Sequence, residues 1–88
     1  MDLKDLRYFI AVYEAKGFSS ASAVLDTVQS NISARILGLE RSLGVQLFER
    51  RWRKLVPTES ADKLYADAKQ VMAAVHQTER GLKPSRAA

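Results

Sequence analysis

No cysteine occurs in the 88 residues, and histidine appears once, at His76. Disulfides and thiolate metal sites are thereby excluded, and one imidazole cannot form a metal-binding cluster. No long uncharged apolar run is present, so no membrane-spanning helix is expected. The opening Met1-Asp2-Leu3-Lys4-Asp5 mixes charges with apolar residues and does not form a signal peptide. There is no nucleophile–base pair, metal cluster or glycine-rich phosphate loop, so neither an enzyme nor a cofactor is expected. The aromatic stacking platform of a single-strand RNA binder is missing too. No internal repeat is visible. Together these absences suit a cytoplasmic protein.

What remains is a small globular domain. Apolar residues make up 47% and charged residues 27% of the chain, a balance that favours a packed core over disorder. A chain this short buries a modest core and is often completed by self-association. The formal net charge is +4 and the pI about 9.7, which favours a polyanionic partner. From Met1 to Val56 there are nine basic and six acidic residues; from Pro57 onward there are five and four. The excess is concentrated in Arg50-Arg51-Trp52-Arg53-Lys54.

Leu3, Leu6, Phe9, Ile10 and Tyr13, with Val12 beside them, form one apolar stripe at helical spacing. They predict a first helix over about 3–15, with Asp2 as N-cap, Asp5 well placed for the helix dipole and Lys16-Gly17 as the stop. Ser19 is the expected N-cap of a short second helix whose core face is Ala21, Val24 and Leu25. After the polar Asp26-Thr27, a third helix should run from near Val28 to Leu43. Its buried stripe is Ile32, Ile36, Leu39 and Leu43, and Gly44 is its stop. Gly38 inside it costs roughly 1 kcal/mol against alanine.

Val45-Gln46-Leu47-Phe48-Glu49 and Lys54-Leu55-Val56 are short and partly alternating. The second reads as a strand, the first as a turn leading into its partner, and Arg50 to Arg53 as the loop between. Pro57 can end a strand because it lacks a ladder donor. So small a ribbon must pack on the helices through Leu47, Phe48 and Val56. Thr58 can cap a last helix over about 59–80, followed by Gly81. Ala61, Leu64, Tyr65, Ala68, Val71, Met72 and Val75 recur at spacings of three and four, and Leu82 continues the register. Some 22 residues give a rod of about 33 Å, long for a domain this size, and its sustained stripe favours a second helix as partner. Residues 83–88 read as a tail or the start of a linker.

The predicted order is helix, turn, helix, basic hairpin. A helix fits the major groove of duplex DNA with its first turns on base edges, and cations beside it hold phosphates. The base-reading candidates are Gln29, Ser30, Asn31, Ser33, Ala34 and Arg35. Gln29 or Asn31 can pair bidentately with adenine, and Arg35 with guanine or a phosphate. Arg50, Arg51, Arg53 and Lys54 are the backbone candidates, with Arg53 suited to the minor groove. Ser19 and Ser20 can meet a phosphate at the second helix's N-terminus. Each assignment has a plainer counterpart. Gln29-Ser30-Asn31 is also an ordinary polar helix start, Ser19 an ordinary cap, and the arginine tract a solvated loop. Four cations in five residues repel one another, however, and DNA would relieve that. Trp52 reads as packing on the wing or a helix. Arg7, Lys16 and Arg41 read as surface charges, Tyr13 and Tyr65 as core or dimer-face aromatics, and His76 as exposed.

These residues resemble the N-terminal DNA-binding domain of LysR-type bacterial transcriptional regulators. The resemblance starts at Leu3, Leu6 and Phe9 and passes through Gly17-Phe18-Ser19, Ala21, Ala23, Leu25, Gln29, Ile32-Ser33 and Ile36. Its strongest part is Leu39-Glu40-x-x-Leu43-Gly44-x-x-Leu47-Phe48-x-Arg50-x-x-Arg53, and it ends with Thr58. It spans roughly residues 2 to 80. It implies a mainly α fold: a winged helix-turn-helix with a three-helix core and two-stranded wing over 1–58, then a linker and dimerisation helix over 59–82. Three places depart from the family pattern. Val28-Gln29-Ser30 stands for Ser-Gln-Pro, so Thr27 or Ser30 must cap the third helix. Ala34-Arg35 stands for a basic residue and glutamine, and Pro57 with Ser60-Ala61 replaces the usual wing-to-helix junction.

The resemblance further implies sequence-specific binding to double-stranded promoter DNA in the nucleoid, as a homodimer on a roughly palindromic site. The dimer contact would be Ala61, Leu64, Tyr65, Ala68, Val71, Met72, Val75 and Leu82. Members of the family are longer and carry an effector-binding domain, so a small-molecule effector and a tetramer belong only to a longer protein, of which this chain reads as a fragment. The main rival is a protein-interaction module using the long helix alone, which leaves the wing arginines without a role.

Overall fold

The computed structural model describes residues 1–82, as four helices and one two-stranded sheet. Helix α1 is Leu3–Ala15, α2 Phe18–Leu25, α3 Gln29–Leu43 and α4 Glu59–Leu82; strands β1 and β2 are Phe48–Arg51 and Lys54–Pro57. No described helix is long and apolar enough to cross a membrane.

Helix α1 starts as expected. The Asp2 carboxylate accepts from the Asp5 backbone N–H at 2.8 Å, and the Asp5 carboxylate accepts from the Asp2 N–H at 3.0 Å, a reciprocal capping box. The left-handed stop is Lys16 (φ 61°), while Gly17 is extended. Gly17 is also the N-cap of α2, which has no side-chain cap, so Ser19 lies inside the helix rather than at its cap. Helix α2 presses on its neighbours through Phe18, Ala21 and Leu25, which share a narrow arc at about 100° per residue. Val24 falls to the side of that arc and is 72% exposed, so it is not a core residue.

In α3 the buried stripe is Ile32, Ile36 and Leu39; Leu43, at the end of the last turn, is 38% exposed. Neither Thr27 nor Ser30 caps this helix: Val28 is the N-cap residue, without a side-chain hydrogen bond. Gly44 takes the left-handed stop at φ 70°. Gly38 needs no special account, because a Cβ there would meet nothing within 4 Å. Gly38→Ala is therefore expected to stabilise the fold by about 0.5–1 kcal/mol, raising Tm by several degrees for a domain of this size. A calorimetric Tm unchanged or lowered by the substitution would refute this account.

Strands β1 and β2 pair antiparallel, with Phe48 opposite Pro57, Glu49 opposite Val56, Arg50 opposite Leu55 and Arg51 opposite Lys54. Arg50 and Arg51 thus belong to a strand, not to a four-residue loop. The turn is Trp52-Arg53 alone, both left-handed at φ 51° and 67°. Glu40, half-buried at the edge of the α3 stripe, fixes the wing's root: its Oε2 accepts from the Leu47 N–H at 2.7 Å and the Phe48 N–H at 3.4 Å. Thr58 joins wing to α4. Its Oγ1 donates to the Gln46 carbonyl at 2.7 Å and accepts the Ala61 N–H at 3.2 Å.

The core is Phe9, Val12, Ala21, Ile32, Ile36, Leu39, Leu47, Phe48 and Ala61. Phe48 seats the wing, with its ring centroid 5.7 Å from Phe9 and 6.3 Å from Phe18. Helix α4 leaves this core behind. It runs through Gly81 to Leu82 without the expected break, because Gly81 is itself helical. Its 24 residues span about 36 Å. The predicted tail, 83–88, lies outside the described residues.

Candidate nucleic-acid interface

The α1–α2 turn, the starts of α2 and α3, and both wing strands converge on one cavity of about 200 Å³. It is lined by Lys16, Gly17, Phe18, Ser19, Gln29, Arg50, Arg53 and Leu55. Four residues singled out from sequence, Ser19, Gln29, Arg50 and Arg53, are thus neighbours in space. Lys16, read from sequence as an ordinary surface charge, joins them; the available signal was its position in the turn just before α2. Lys16, Arg50, Arg53 and Lys54 have no carboxylate within 4.0 Å among the described residues. Crowded like charges without counter-ions create a field that draws polyanions.

Alternation along β1 sorts the wing cations. Arg50 shares the inward face with Phe48, and its guanidinium lies 6.0 Å from the Phe18 ring centroid. Arg51 shares the other face with Glu49 and is ion-paired to it at 3.0 Å. Arg53 and Lys54 are exposed at the tip and the start of β2. Ser19 and Ser20 lie in the uncapped, exposed first turn of α2, where helix amides face outward.

On α3, Gln29, Ser30, Asn31, Ser33 and Ala34 are all exposed. Asn31 is partly engaged: its Nδ2 donates to Thr27 Oγ1 at 3.0 Å, which aligns the amide along the helix-turn-helix corner. Arg35 departs from the expectation of a base reader. It is half-buried, with its guanidinium 2.7 Å from the Asp5 carboxylate, 3.5 Å from Asp2 and 5.3 Å from the Tyr8 ring centroid. It ties α3 to the start of α1. Burial pushes the Asp5 carboxyl up, but the Asp2 N–H and the Arg35 guanidinium outweigh it and hold Asp5 below the usual carboxylate range.

The surface of α4 also needs correcting. Ala61 and Ala68, expected in a dimer contact, are 0% and 1% exposed within the single chain. They face their own core and cannot meet a partner. Leu64 and Tyr65 are half-buried against the same core. The Tyr65 ring stacks on Tyr13 at 4.1 Å with a 10° interplanar angle. Tyr13 donates to Asp62 at 2.6 Å and Tyr65 to Glu14 at 2.5 Å, with the Lys69 ammonium 3.4 Å from Glu14. Beyond this clasp Val71 is 41% and Leu82 82% exposed, with Met72 and Val75 half-buried. An open groove of about 500 Å³ lies between α1 and α4, lined by Arg7, Ile10, Lys69, Met72, Ala73 and His76.

The clasp between α1 and α4 titrates. The Tyr65 hydroxyl holds Glu14 below its ordinary value, against a smaller rise from burial and with help from Lys69. The same hydrogen bond raises Tyr65, and the bond to Asp62 raises Tyr13. A depressed carboxyl gives stability that is complete above its unfolded pKa and lost as pH falls through the folded one. A raised phenol gives stability that is complete below about pH 10 and lost as pH rises through its folded pKa. The Tm advantage of the native chain over Tyr65→Phe is therefore expected to be flat between about pH 5 and 9 and to shrink on both sides. A difference independent of pH in thermal melts would show that no such bond forms.

Comparison with known proteins matches this geometry. The family model described as "Bacterial regulatory helix-turn-helix protein, lysR family" matches residues 3–62. HTH-type transcriptional regulator TfdT of Cupriavidus pinatubonensis is 36% identical over 80 residues, covering 91% of this chain and 35% of that protein. The DNA-binding domain of BenM in complex with catB site 1 DNA superposes with a TM-score of 0.87 at 36% identity, covering 91% of this chain and 86% of that one. The CbnR DNA-binding domain in complex with DNA gives a TM-score of 0.86 at 31% identity, covering 91% and 92%. The chain spans 25% to 35% of the length of the first curated relatives it matches.

Proposed function

The chain belongs to the lysR family of bacterial regulatory helix-turn-helix proteins and is a winged helix-turn-helix domain of that family, and from this premise we propose that it reads promoter DNA as a homodimer. Residues 1–58 form the reading unit and 59–82 the pairing rod. Helix α3 enters the major groove with Gln29, Ser30, Asn31, Ser33 and Ala34 toward base edges. Arg50, Arg53, Lys54 and Lys16 meet phosphates on either side, and Ser19 and Ser20 present the amides of α2 to the backbone between. Arg35 acts as a tether behind this surface, and Arg51, compensated by Glu49, contributes less than its neighbours.

The observation that carries this reading is the single cavity joining Ser19, Gln29, Arg50 and Arg53 with no compensating carboxylate. A module that used only α4 to bind proteins would leave that cluster unexplained. In the dimer, Val71, Met72, Val75 and Leu82 of two rods pack antiparallel, with Leu64 and Tyr65 at the margin. This places two α3 helices on one face of the duplex and calls for a roughly palindromic site. The site of action is nucleoid DNA in the cytoplasm. An effector ligand and a tetramer belong to a longer protein that carries further domains.

Binding-site selection from a randomised duplex pool tests the assignment of roles. Gln29→Ala is expected to relax preference at one or two positions of each half-site, costing about 1–3 kcal/mol on the preferred duplex and little on others. Uniform weakening on every sequence would place Gln29 on the backbone and remove it from the reading set.

A further inference from the structure

Trp52 is the single tryptophan of the chain, and at the tip of the wing it is 96% exposed. Sequence alone placed it against the wing or a helix; it touches neither. Its backbone is as unusual as its exposure. A two-residue hairpin turn with both residues left-handed is the setting in which Asn-Gly forms without penalty, and a bulky side chain there is a genuine outlier. The chain thus holds a large apolar ring in water, on a strained backbone, at the most projecting point of the hairpin. Neither feature helps the fold, so both point to a partner.

The surroundings decide which partner. Arg50, Arg51, Arg53 and Lys54 flank the indole and are exposed. Such a collar repels a second copy of the same tip and favours a polyanion. The tip is also continuous with the cavity formed by Lys16, Gln29, Arg50 and Arg53. Resting on the DNA-binding reading, we propose that Trp52 is an apolar wedge that enters the minor groove beside the major groove filled by α3. The flanking cations hold the two phosphate strands, and the ring wedges partway between neighbouring base pairs at the groove floor. Apolar side chains used in this way unstack or widen the duplex locally and add affinity that owes nothing to counterion release. The left-handed turn aims the indole outward instead of letting it fold back onto the wing.

Trp52 is its own probe, since no other tryptophan contributes to the emission. Titration of the chain with a mixed-sequence duplex of about 30 base pairs, roughly three helical turns, should change the tryptophan emission in step with the mobility shift. Trp52→Ala should weaken binding by roughly 5- to 150-fold, the range of one aromatic–base contact, while leaving the salt slope unchanged. Trp52→Phe should restore most of the affinity. Trp52→Asn should bind as poorly as the alanine variant yet melt a few degrees higher, because asparagine tolerates the left-handed backbone. Emission that stays constant while the duplex saturates the protein, or wild-type affinity in Trp52→Ala, overturns the wedge and leaves DNA binding intact. A fall in salt slope with Trp52→Ala overturns it too, since the ring would then be acting through its neighbouring cations. Failure of the unaltered chain to bind any duplex removes the DNA-binding reading itself.

Discussion

Glutamates at Val71 and Val75 are expected to convert the protein to a monomer and to cut its affinity for a two-half-site duplex by about 10²–10⁴-fold. That is the advantage that physical linkage gives a second binding event. Both residues lie on the part of α4 beyond the clasp made by Tyr13, Tyr65, Glu14 and Asp62, Val71 exposed and Val75 half-buried. The core of the domain ends at Ala68, so the substitutions should spare the fold, and circular dichroism would confirm it. A buried glutamate pair facing its own symmetry copy suffers both desolvation and like-charge repulsion. Affinity for a single half-site should be almost unchanged. Sedimentation equilibrium reads the first effect and mobility shift the second. If the double variant still sediments as a dimer, pairing does not use this face, and the two-fold arrangement of recognition helices proposed above is lost with it.

The α4 stripe also shows where sequence stops being sufficient. Spacings of three and four placed Ala61, Leu64, Tyr65, Ala68, Val71, Met72 and Val75 on one broad face, and that face exists. Periodicity records only that a side chain avoids water; it does not record what covers it. Ala61 and Ala68 are covered by the chain's own helices, Met72 and Val75 only in part, and Val71 and Leu82 lie open. The same distinction explains Arg35. Its place near the start of α3 made it a natural base reader, but its partner Asp5 lies thirty residues away in sequence. An ion pair of that separation has no local signature.

Local chemistry, by contrast, was legible. The Asp2 cap, the Gly44 stop and the Thr58 cap follow from short-range rules and stand where those rules put them; the α1 stripe does so only in part, since Leu3 at its start is 40% exposed while Val12, expected beside it, is fully buried. The wing register was missed because the turn does not use turn residues. An Asn-Gly pair would have announced a two-residue hairpin; Trp52-Arg53 reads as a piece of loop, and Arg50 and Arg51 were drawn into it. Glu40 was missed because a carboxylate accepting two backbone N–H groups from the wing root looks, in sequence, like any solvent-facing glutamate.

The wing also yields the second large effect. Arg50→Ala combined with Arg53→Ala should lower the slope of log affinity against log salt by about 1.8, since each phosphate neutralised contributes about 0.9. At ~0.1 M salt each released counterion is worth close to tenfold, so the affinity loss should be roughly 50- to 100-fold on every duplex, preferred or not. Arg51→Ala should change the slope much less, because Glu49 already compensates Arg51 at 3.0 Å and both lie on the face away from the cavity. The comparison separates geometry from charge count: all three residues carry the same charge within a four-residue span, and only their placement on the strand differs. Equal slopes for Arg50→Ala and Arg51→Ala would mean that the tract acts as a diffuse cationic cloud. The alternation of β1, and the cavity it builds with Lys16, Ser19 and Gln29, would then have no part in holding DNA.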